Sequence, residues 1–213
     1  MWNRLAVSPL FTQKQKMTCG KLIIISGPSG AGKSSVVKRL IAESPLALTL
    51  SVSATTRPPR SGEVDGREYY FLTPEEFSRR REQGEFLECK EVFGRGTWYG
   101  TLAETVSTGL NRGKWVILEI DVQGALAVLG EFPQAITIFV HPGSMEELEK
   151  RLRQRATDSE DSIRRRLDVA AEEMALRHHY THEIINETLD KTVEHLNQLL
   201  HQYQGEKIPC SKS

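Results

Sequence analysis

Gly27-Pro28-Ser29-Gly30-Ala31-Gly32-Lys33-Ser34 places a lysine and a hydroxyl after three glycines. The pattern Gly-x-x-x-x-Gly-Lys-Ser is a phosphate-binding loop when a buried strand precedes it and a helix follows. Both conditions hold in this sequence. Lys21-Leu22-Ile23-Ile24-Ile25-Ser26 reads as the strand, and Ser34 to Glu43 as the helix, with Val37, Leu40 and Ile41 on one face and Pro45 past its end. Glycines let successive backbone N–H groups turn inward around an anion. The start of the helix adds the positive end of its dipole. Lys33 can then reach the β- and γ-phosphates of a nucleoside triphosphate, and the Ser34 hydroxyl can ligate Mg²⁺. Gly27, Pro28, Ser29, Gly30, Ala31, Gly32, Lys33, Ser34 and Ser35 are accordingly expected to hold that triphosphate.

Other charged residues could serve a second ligand. Arg57 and Arg60 lie in the Pro-stiffened loop Thr55-Thr56-Arg57-Pro58-Pro59-Arg60-Ser61-Gly62-Glu63. Two guanidinium groups on a constrained loop can fork onto a phosphate. A solvated basic loop accounts for these two residues equally well. Tyr69 and Tyr99 can add hydroxyl donors, although each alone reads as a core or interface tyrosine. Glu119 and Asp121 end the apolar run Trp115-Val116-Ile117-Leu118-Glu119-Ile120-Asp121, where an acid can hold Mg²⁺ through water. Arg151 and Arg155 are four residues apart and share a helix face. Together with Arg164, Arg165 and Arg166 they read, by residue type, as a solvated helix pair laced with ion pairs. His178, His179 and His182 lack the His-Glu-x-x-His spacing of a metal helix and read as solvated or capping residues.

The elements that must position these residues follow from the apolar pattern. Leu22 to Ile25, Trp115 to Asp121 and Ala135 to Val140 are near-continuous aliphatic runs of the kind found in buried parallel strands. Glu183 to Asn186 is a shorter strand. Val122–Leu129, Met145–Arg155, Ser162–His178 and Leu189–Tyr203 read as helices. Strands alternating with helices imply an α/β fold, a doubly wound parallel sheet with helices on both faces. Residues 51–113 break the rhythm. Tyr69 to Leu72 can form a strand there and Thr73 can cap a helix opened by Pro74. This segment reads as a lobe inserted over the strand ends.

Composition narrows the function further. Twenty-eight basic residues balance 28 acidic ones, which argues against a nucleic-acid binder. No apolar run approaches the roughly 18 residues of a membrane span. Cys19, Cys89 and Cys210 fit neither a zinc spacing nor a disulfide framework, so a reducing cytoplasm is expected. Residues 1–16 carry Arg4, Lys14 and Lys16 and no acid. They read as a disordered extension, with Met17 as an alternative start and a targeting peptide as the other reading.

Several spaced motifs together resemble the guanylate kinases. They are Ser51-Val52-Ser53-Ala54-Thr55-Thr56-Arg57, Pro59-Arg60-Ser61-Gly62-Glu63-Val64-Asp65-Gly66-Arg67-Glu68-Tyr69, Phe86-Leu87-Glu88, Trp98-Tyr99-Gly100-Thr101 and Leu118-Glu119-Ile120-Asp121-Val122-Gln123-Gly124. The resemblance runs from Lys21 to about Tyr203. It implies a phosphate-loop nucleoside-monophosphate kinase fold that transfers the ATP γ-phosphate to GMP or dGMP with Mg²⁺. It implies that Arg57, Arg60, Tyr69 and Tyr99 hold the GMP phosphate, and that Ser53, Glu88, Thr101 and Asp121 read guanine. Arg151, Arg155 and Arg166 would neutralise charge from a lid, Glu119 would face the metal through water, and Asn186 would lie near the adenine pocket. The implied organisation is an extension over 1–20, a kinase domain over 21–207 and a tail over 208–213. Within the domain, the core spans 21–50, 114–144 and 167–207, the GMP-binding lobe 51–113 and the lid 145–166. A monomer or homodimer fits. The sequence departs from the family pattern at Glu119, where Asp is usual, at Ala156, where Gly is common, and at Glu187-Thr188.

Two other readings stand beside this one. Guanylate-kinase-like scaffold modules bind phosphopeptides without catalysis, but they tend to lose the phosphate loop that Gly27, Gly32, Lys33 and Ser34 keep intact here. A kinase for AMP or UMP would keep the loop, but Glu88 and Ser53 suit guanine better.

Overall fold

The computed structural model describes residues 20–92, 96–154 and 159–205. The expected extension (except Gly20), residues 206–213, Arg155 and Ala156 lie outside the described residues. In chain order the elements are β1 (Lys21–Ser26), α1 (Lys33–Glu43), β2 (Leu48–Leu50), β3 (Ala54–Thr55), β4 (Tyr70–Phe71), α2 (Pro74–Glu82), β5 (Phe86–Val92), β6 (Thr97–Leu102), α3 (Ala103–Asn111), β7 (Trp115–Glu119), α4 (Val122–Glu131), β8 (Ile136–His141), α5 (Met145–Gln154), α6 (Glu160–Ala175), β9 (His182–Ile185) and α7 (Leu189–Gln202).

β1 is aliphatic at consecutive positions because both of its faces are covered. Ile23 and Ile25 pack with Val36, Val37 and Leu40 of α1 and with Val193, Leu196 and Leu200 of α7. Leu22 and Ile24, on the opposite face, pack with Val106 of α3 and with Val122, Ala125 and Val128 of α4. The sheet order is β2-β7-β1-β8-β9, and every pairing in it is parallel. This is the doubly wound sheet expected from the alternation of strands and helices. Ligands of such sheets sit beyond the carboxyl ends of the strands. The register pairs Ile25 with Glu119, so the loop after β1 and the acid at the end of β7 emerge side by side.

A second sheet, ordered β4-β3-β6-β5, stands over those ends. Its small core joins Ala54, Phe77 and Leu102, with Phe77 stacked on Phe86 at 4.5 Å between centroids. The Thr73 hydroxyl caps α2 by accepting from the Glu76 N–H at 3.2 Å, and Pro74 occupies the first turn.

The sequence pattern does not reveal β2, β5, β6 or α3. β5 and β6 alternate apolar residues with Glu88, Lys90, Tyr99 and Thr101, so neither reads as an apolar run. α3 falls within the segment read as the inserted lobe, yet its Val106 is buried against the parallel sheet. The strand expected through Asp121 stops at Glu119, because Asp121 turns out to be the N-cap of α4, its Oδ1 accepting from the Gly124 N–H at 2.8 Å. The helix expected over Ser162–His178 starts at Glu160 behind a Ser159 cap. It ends at Ala175, before a 3₁₀ turn over Arg177–His179. No helix among the described residues is long and apolar enough to cross a membrane.

Candidate active site

One cavity of ≈ 530 Å³ lies between the carboxyl ends of the parallel sheet and the smaller sheet. Gly27, Ser29, Gly30, Gly32, Lys33, Ser34 and Ser35 form one wall; Ser53, Arg57, Arg60, Tyr69, Glu88 and Tyr99 form another, with Glu119 and Asp121 between them. Residues far apart in sequence thus face a common space.

The loop after β1 is a nest of left-handed turns. Gly27, Gly30 and Gly32 have φ of 137°, 101° and 88°, which side chains other than glycine rarely tolerate. A Cβ on Gly27 would lie 2.0 Å from the Val140 carbonyl oxygen, and one on Gly30 would lie 2.8 Å from Leu152 Cδ2. The loop is therefore packed tightly against β8 and α5. Lys33 Nζ donates to the carbonyls of Gly27 at 2.6 Å and Pro28 at 3.1 Å, closing the loop on itself. Burial pushes the Lys33 ammonium below its usual range, and Glu119, Glu173 and Asp121 oppose that shift. Beside it, Ser34 Oγ donates to Glu119 Oε1 at 2.5 Å.

Asn186 braces this loop from behind. Its Nδ2 donates to the Ala31 carbonyl at 2.7 Å and its Oδ1 accepts from Thr192 Oγ1 at 2.9 Å. Asn186 is 7% exposed. The resemblance places Asn186 near the adenine pocket; in the structure both ends of its amide are bonded to the protein. Asn186→Ala is expected to lower unfolding free energy by about 1–3 kcal/mol by orphaning the buried Ala31 carbonyl. Denaturant unfolding measures this, and an unchanged midpoint would contradict the bracing role.

On the opposite wall, Arg57 is held in a polar and aromatic clamp. Its Nη2 donates to Glu63 Oε1 at 2.9 Å and its Nη1 to the Pro58 carbonyl at 2.7 Å. Its guanidinium carbon lies 5.6 Å from the centre of the Tyr69 ring and 5.8 Å from that of Phe71. Arg57 Nε is buried without a partner, a donor left for an incoming acceptor. Glu63 Oε2 also accepts from the Arg60 N–H at 2.7 Å, so one carboxylate fixes both arginines' segment of chain. Tyr69 and Tyr99 meet edge to face at 5.7 Å.

Glu88 occupies the floor near α4. Thr101 is 1% exposed, and its hydroxyl donates to Glu88 Oε1 at 2.7 Å. Burial pushes the Glu88 carboxyl up, the Thr101 bond lowers it and the Asp121 charge raises it again. Asp121 is itself engaged twice, capping α4 with Oδ1 and pairing Oδ2 with Lys90 Nζ at 3.1 Å. Thr101 and Asp121 thus touch the site partly through their neighbours.

Of the arginines expected on a lid, Arg151 and Arg166 do not line the cavity. Arg151 donates from Nη2 to the Asn186 carbonyl at 2.9 Å and from Nε to Glu147 at 3.0 Å. Arg166 lies on α6, and Arg155 falls outside the described residues. His178 Nδ1 is 2.9 Å from the Ala175 carbonyl and its ring centre 4.1 Å from that of His179, while His182 Nε2 is 2.6 Å from the Tyr203 hydroxyl.

Sequence reasoning missed Glu63, Lys90 and Glu173 as site residues. Lys90 is two residues from Glu88 on a strand and therefore shares its face, a signal available once β5 is recognised. Glu173 lines the cavity, and its carboxyl is raised by burial and lowered by Lys33. No local pattern reveals it, because only the packing of α6 brings it to the loop.

Comparison with known proteins agrees with this arrangement. The guanylate kinase family model matches residues 19–203. A guanylate kinase of Rhodopirellula baltica is 59% identical over 195 residues, covering 91% of this chain and 93% of that protein. One from Caldanaerobacter subterraneus subsp. tengcongensis is 47% identical over 181 residues, covering 85% and 86% respectively. The crystal structure of guanylate kinase from Anaplasma phagocytophilum superposes with a TM-score of 0.70 at 33% identity, covering 89% of this chain and 88% of that one. With the intact phosphate loop and the arginine–glutamate wall facing one cavity, the chain belongs to the guanylate kinase family.

Proposed function

We propose that this protein catalyses the reversible transfer of the ATP γ-phosphate to GMP or dGMP, giving ADP and GDP. The observation that carries the reading is the shared cavity, which faces a complete phosphate loop toward Arg57, Arg60 and Glu88. The backbone N–H groups of the loop and Lys33 hold the triphosphate. Arg57 and Arg60, assisted by the Tyr69 and Tyr99 hydroxyls, hold the GMP phosphate. Arg57 exchanges its Glu63 partner for that phosphate, a stronger and doubly charged acceptor. Glu88 accepts from guanine N1–H and the 2-amino group, while the Ser53 hydroxyl serves O6. The accepting phosphate oxygen is already ionised, so no general base is required. The protein's task is positioning and charge neutralisation.

The oxygen donors at Ser34 and Glu119 suit a hard cation, and Ser34 directly and Glu119 through water would hold Mg²⁺. Held by these residues, Mg²⁺ would supply positive charge to the triphosphate. Residues 51–102 act as the acceptor lobe, and α5 with the start of α6 as the lid. Arg151 and Arg166 spread the developing charge once Arg151 leaves the Asn186 carbonyl. The balanced charge supports small-molecule substrates over nucleic acid, and the protein acts in the cytoplasm, without a membrane partner, as a monomer or homodimer. An ADP-release assay with ATP against GMP, dGMP, AMP and UMP tests the reading: turnover is expected with the two guanine nucleotides, and AMP as the preferred acceptor would overturn it.

A pH dependence follows from Glu88. Burial raises its carboxyl above the ordinary value of 4.5, so the protonated form persists to higher pH in the folded protein. Guanine recognition needs the carboxylate. The KM for GMP should therefore rise as pH falls, with an onset above the ordinary carboxylate range. The GMP phosphate titrates in parent and variant alike, so the difference between their log KM profiles isolates the side chain. That difference should vanish into a flat line if Glu88→Gln leaves the inflection unchanged, which is the result that contradicts this assignment.

A further inference from the structure

Glu88 is held from two sides, and only one of them is a hydrogen bond. Thr101 fixes Oε1. Oε2 faces Gly124, in the first turn of α4. A Cβ on Gly124 would lie 3.0 Å from Glu88 Oε2, 3.3 Å from Cδ and 3.4 Å from Cγ. Nothing else at this position calls for glycine. Gly124 is absent from the positive-φ glycines. Its N–H caps on Asp121 Oδ1, a bond that alanine would make equally well. A helix interior disfavours glycine relative to alanine. Gly130, in the same helix, has open space where its Cβ would stand.

We infer that Gly124 is a specificity-determining positioning residue, whose missing side chain makes the space in which the Glu88 carboxylate lies against α4 and meets guanine. The inference rests on the proposed reading of Glu88 as the guanine acceptor. A methyl at 124 drives the carboxylate off its place between α4 and Thr101. Two donors on a planar base edge require a carboxylate at a set angle, so a shift of a few tenths of an ångström weakens both bonds.

The test compares Gly124→Ala with Gly130→Ala in the full chain. Thermal unfolding, GMP binding by calorimetry, and steady-state KM for GMP, AMP and ATP are measured for each. Both variants should keep or raise Tm, since alanine favours the helix. Gly124→Ala should raise the Kd and KM for GMP roughly tenfold, leave KM for ATP unchanged and lower the GMP-over-AMP preference by a similar factor. Gly130→Ala should leave GMP binding as in the parent. In a Glu88→Ala background, Gly124→Ala should add little, because the side chain it displaces is gone. A folded Gly124→Ala protein with parental GMP affinity, or one whose defect persists in full beside Glu88→Ala, overturns the inference. If Gly124→Ala lowers Tm, Glu88→Asp is added: the shorter acid clears the methyl, so recovered Tm supports the contact and no recovery refutes it. If Glu88→Gln itself leaves guanine preference intact, the reading of Glu88 has failed rather than the role of Gly124.

Discussion

Lys33→Ala should reduce kcat by roughly 10²–10³-fold, the usual cost of deleting one positioned charge that stabilises a transition state. Affinity for GMP should change little, because Lys33 belongs to the loop wall and the arginines to the opposite one. The ammonium is bonded to the Gly27 and Pro28 carbonyls, so its loss also loosens the loop that presents the backbone N–H groups. The KM for ATP should accordingly rise alongside the fall in kcat. Burial already disfavours the lone ammonium, which partly offsets the bonds lost, so global unfolding should shift less than turnover does. Steady-state kinetics with calorimetric GMP titration separates these effects. Parental turnover in Lys33→Ala would remove the lysine from the mechanism; lost GMP binding would show that the two walls are not separable.

Glu88→Gln should reverse the character of the acceptor site. A carboxylate accepts from both N1–H and the 2-amino group of guanine, whereas a glutamine amide presents one acceptor and an NH₂ that meets those donors head on. The expected loss in kcat/KM for GMP is about 1–3 kcal/mol, or roughly five- to 150-fold. AMP, which has no donor at N1, should lose nothing and can gain from the neutral side chain. Thr101 makes this variant informative, because its hydroxyl can still donate to the Gln oxygen and hold the side chain in place. The discriminating quantity is the ratio of kcat/KM values for GMP and AMP. A ratio equal to the parent's would mean that Glu88 does not read the base.

The phosphate loop was legible because its chemistry is local. A strand, a turn built of glycines and a helix start place Lys33 and Ser34 without help from the rest of the chain. β1, β7 and β8 were equally legible, since strands buried on both faces read as aliphatic runs. β5 and β6 were not, because one of their faces lines a polar cavity and interrupts the apolar pattern with Glu88, Lys90 and Tyr99. Asp121 ended an apolar run in the sequence and became a helix cap in the structure. Both outcomes put a carboxylate at the carboxyl end of β7, so Asp121 lines the cavity in either case.

The acceptor side came from motif resemblance rather than from pattern. Arg57 and Arg60 alone could have been a solvated loop; the Glu63 clamp and the buried Arg57 Nε distinguish a built site from a flexible one. The brace that Asn186 forms behind the loop is not legible in the sequence, because a brace and a nucleotide contact call for the same residue type. Gly124 and Glu173 depend on packing between helices and strands distant in sequence, which no local spacing encodes.

The central claim is that the two walls hold donor and acceptor together for direct transfer. A single-turnover experiment with ATP labelled in the γ-phosphate, enzyme in excess and GMP or AMP as acceptor, tests it. Label should appear rapidly in GDP, little should appear in ADP formed from AMP, and inorganic phosphate should be released no faster. Label passing to water, or remaining in ATP while both nucleotides are bound, would contradict it.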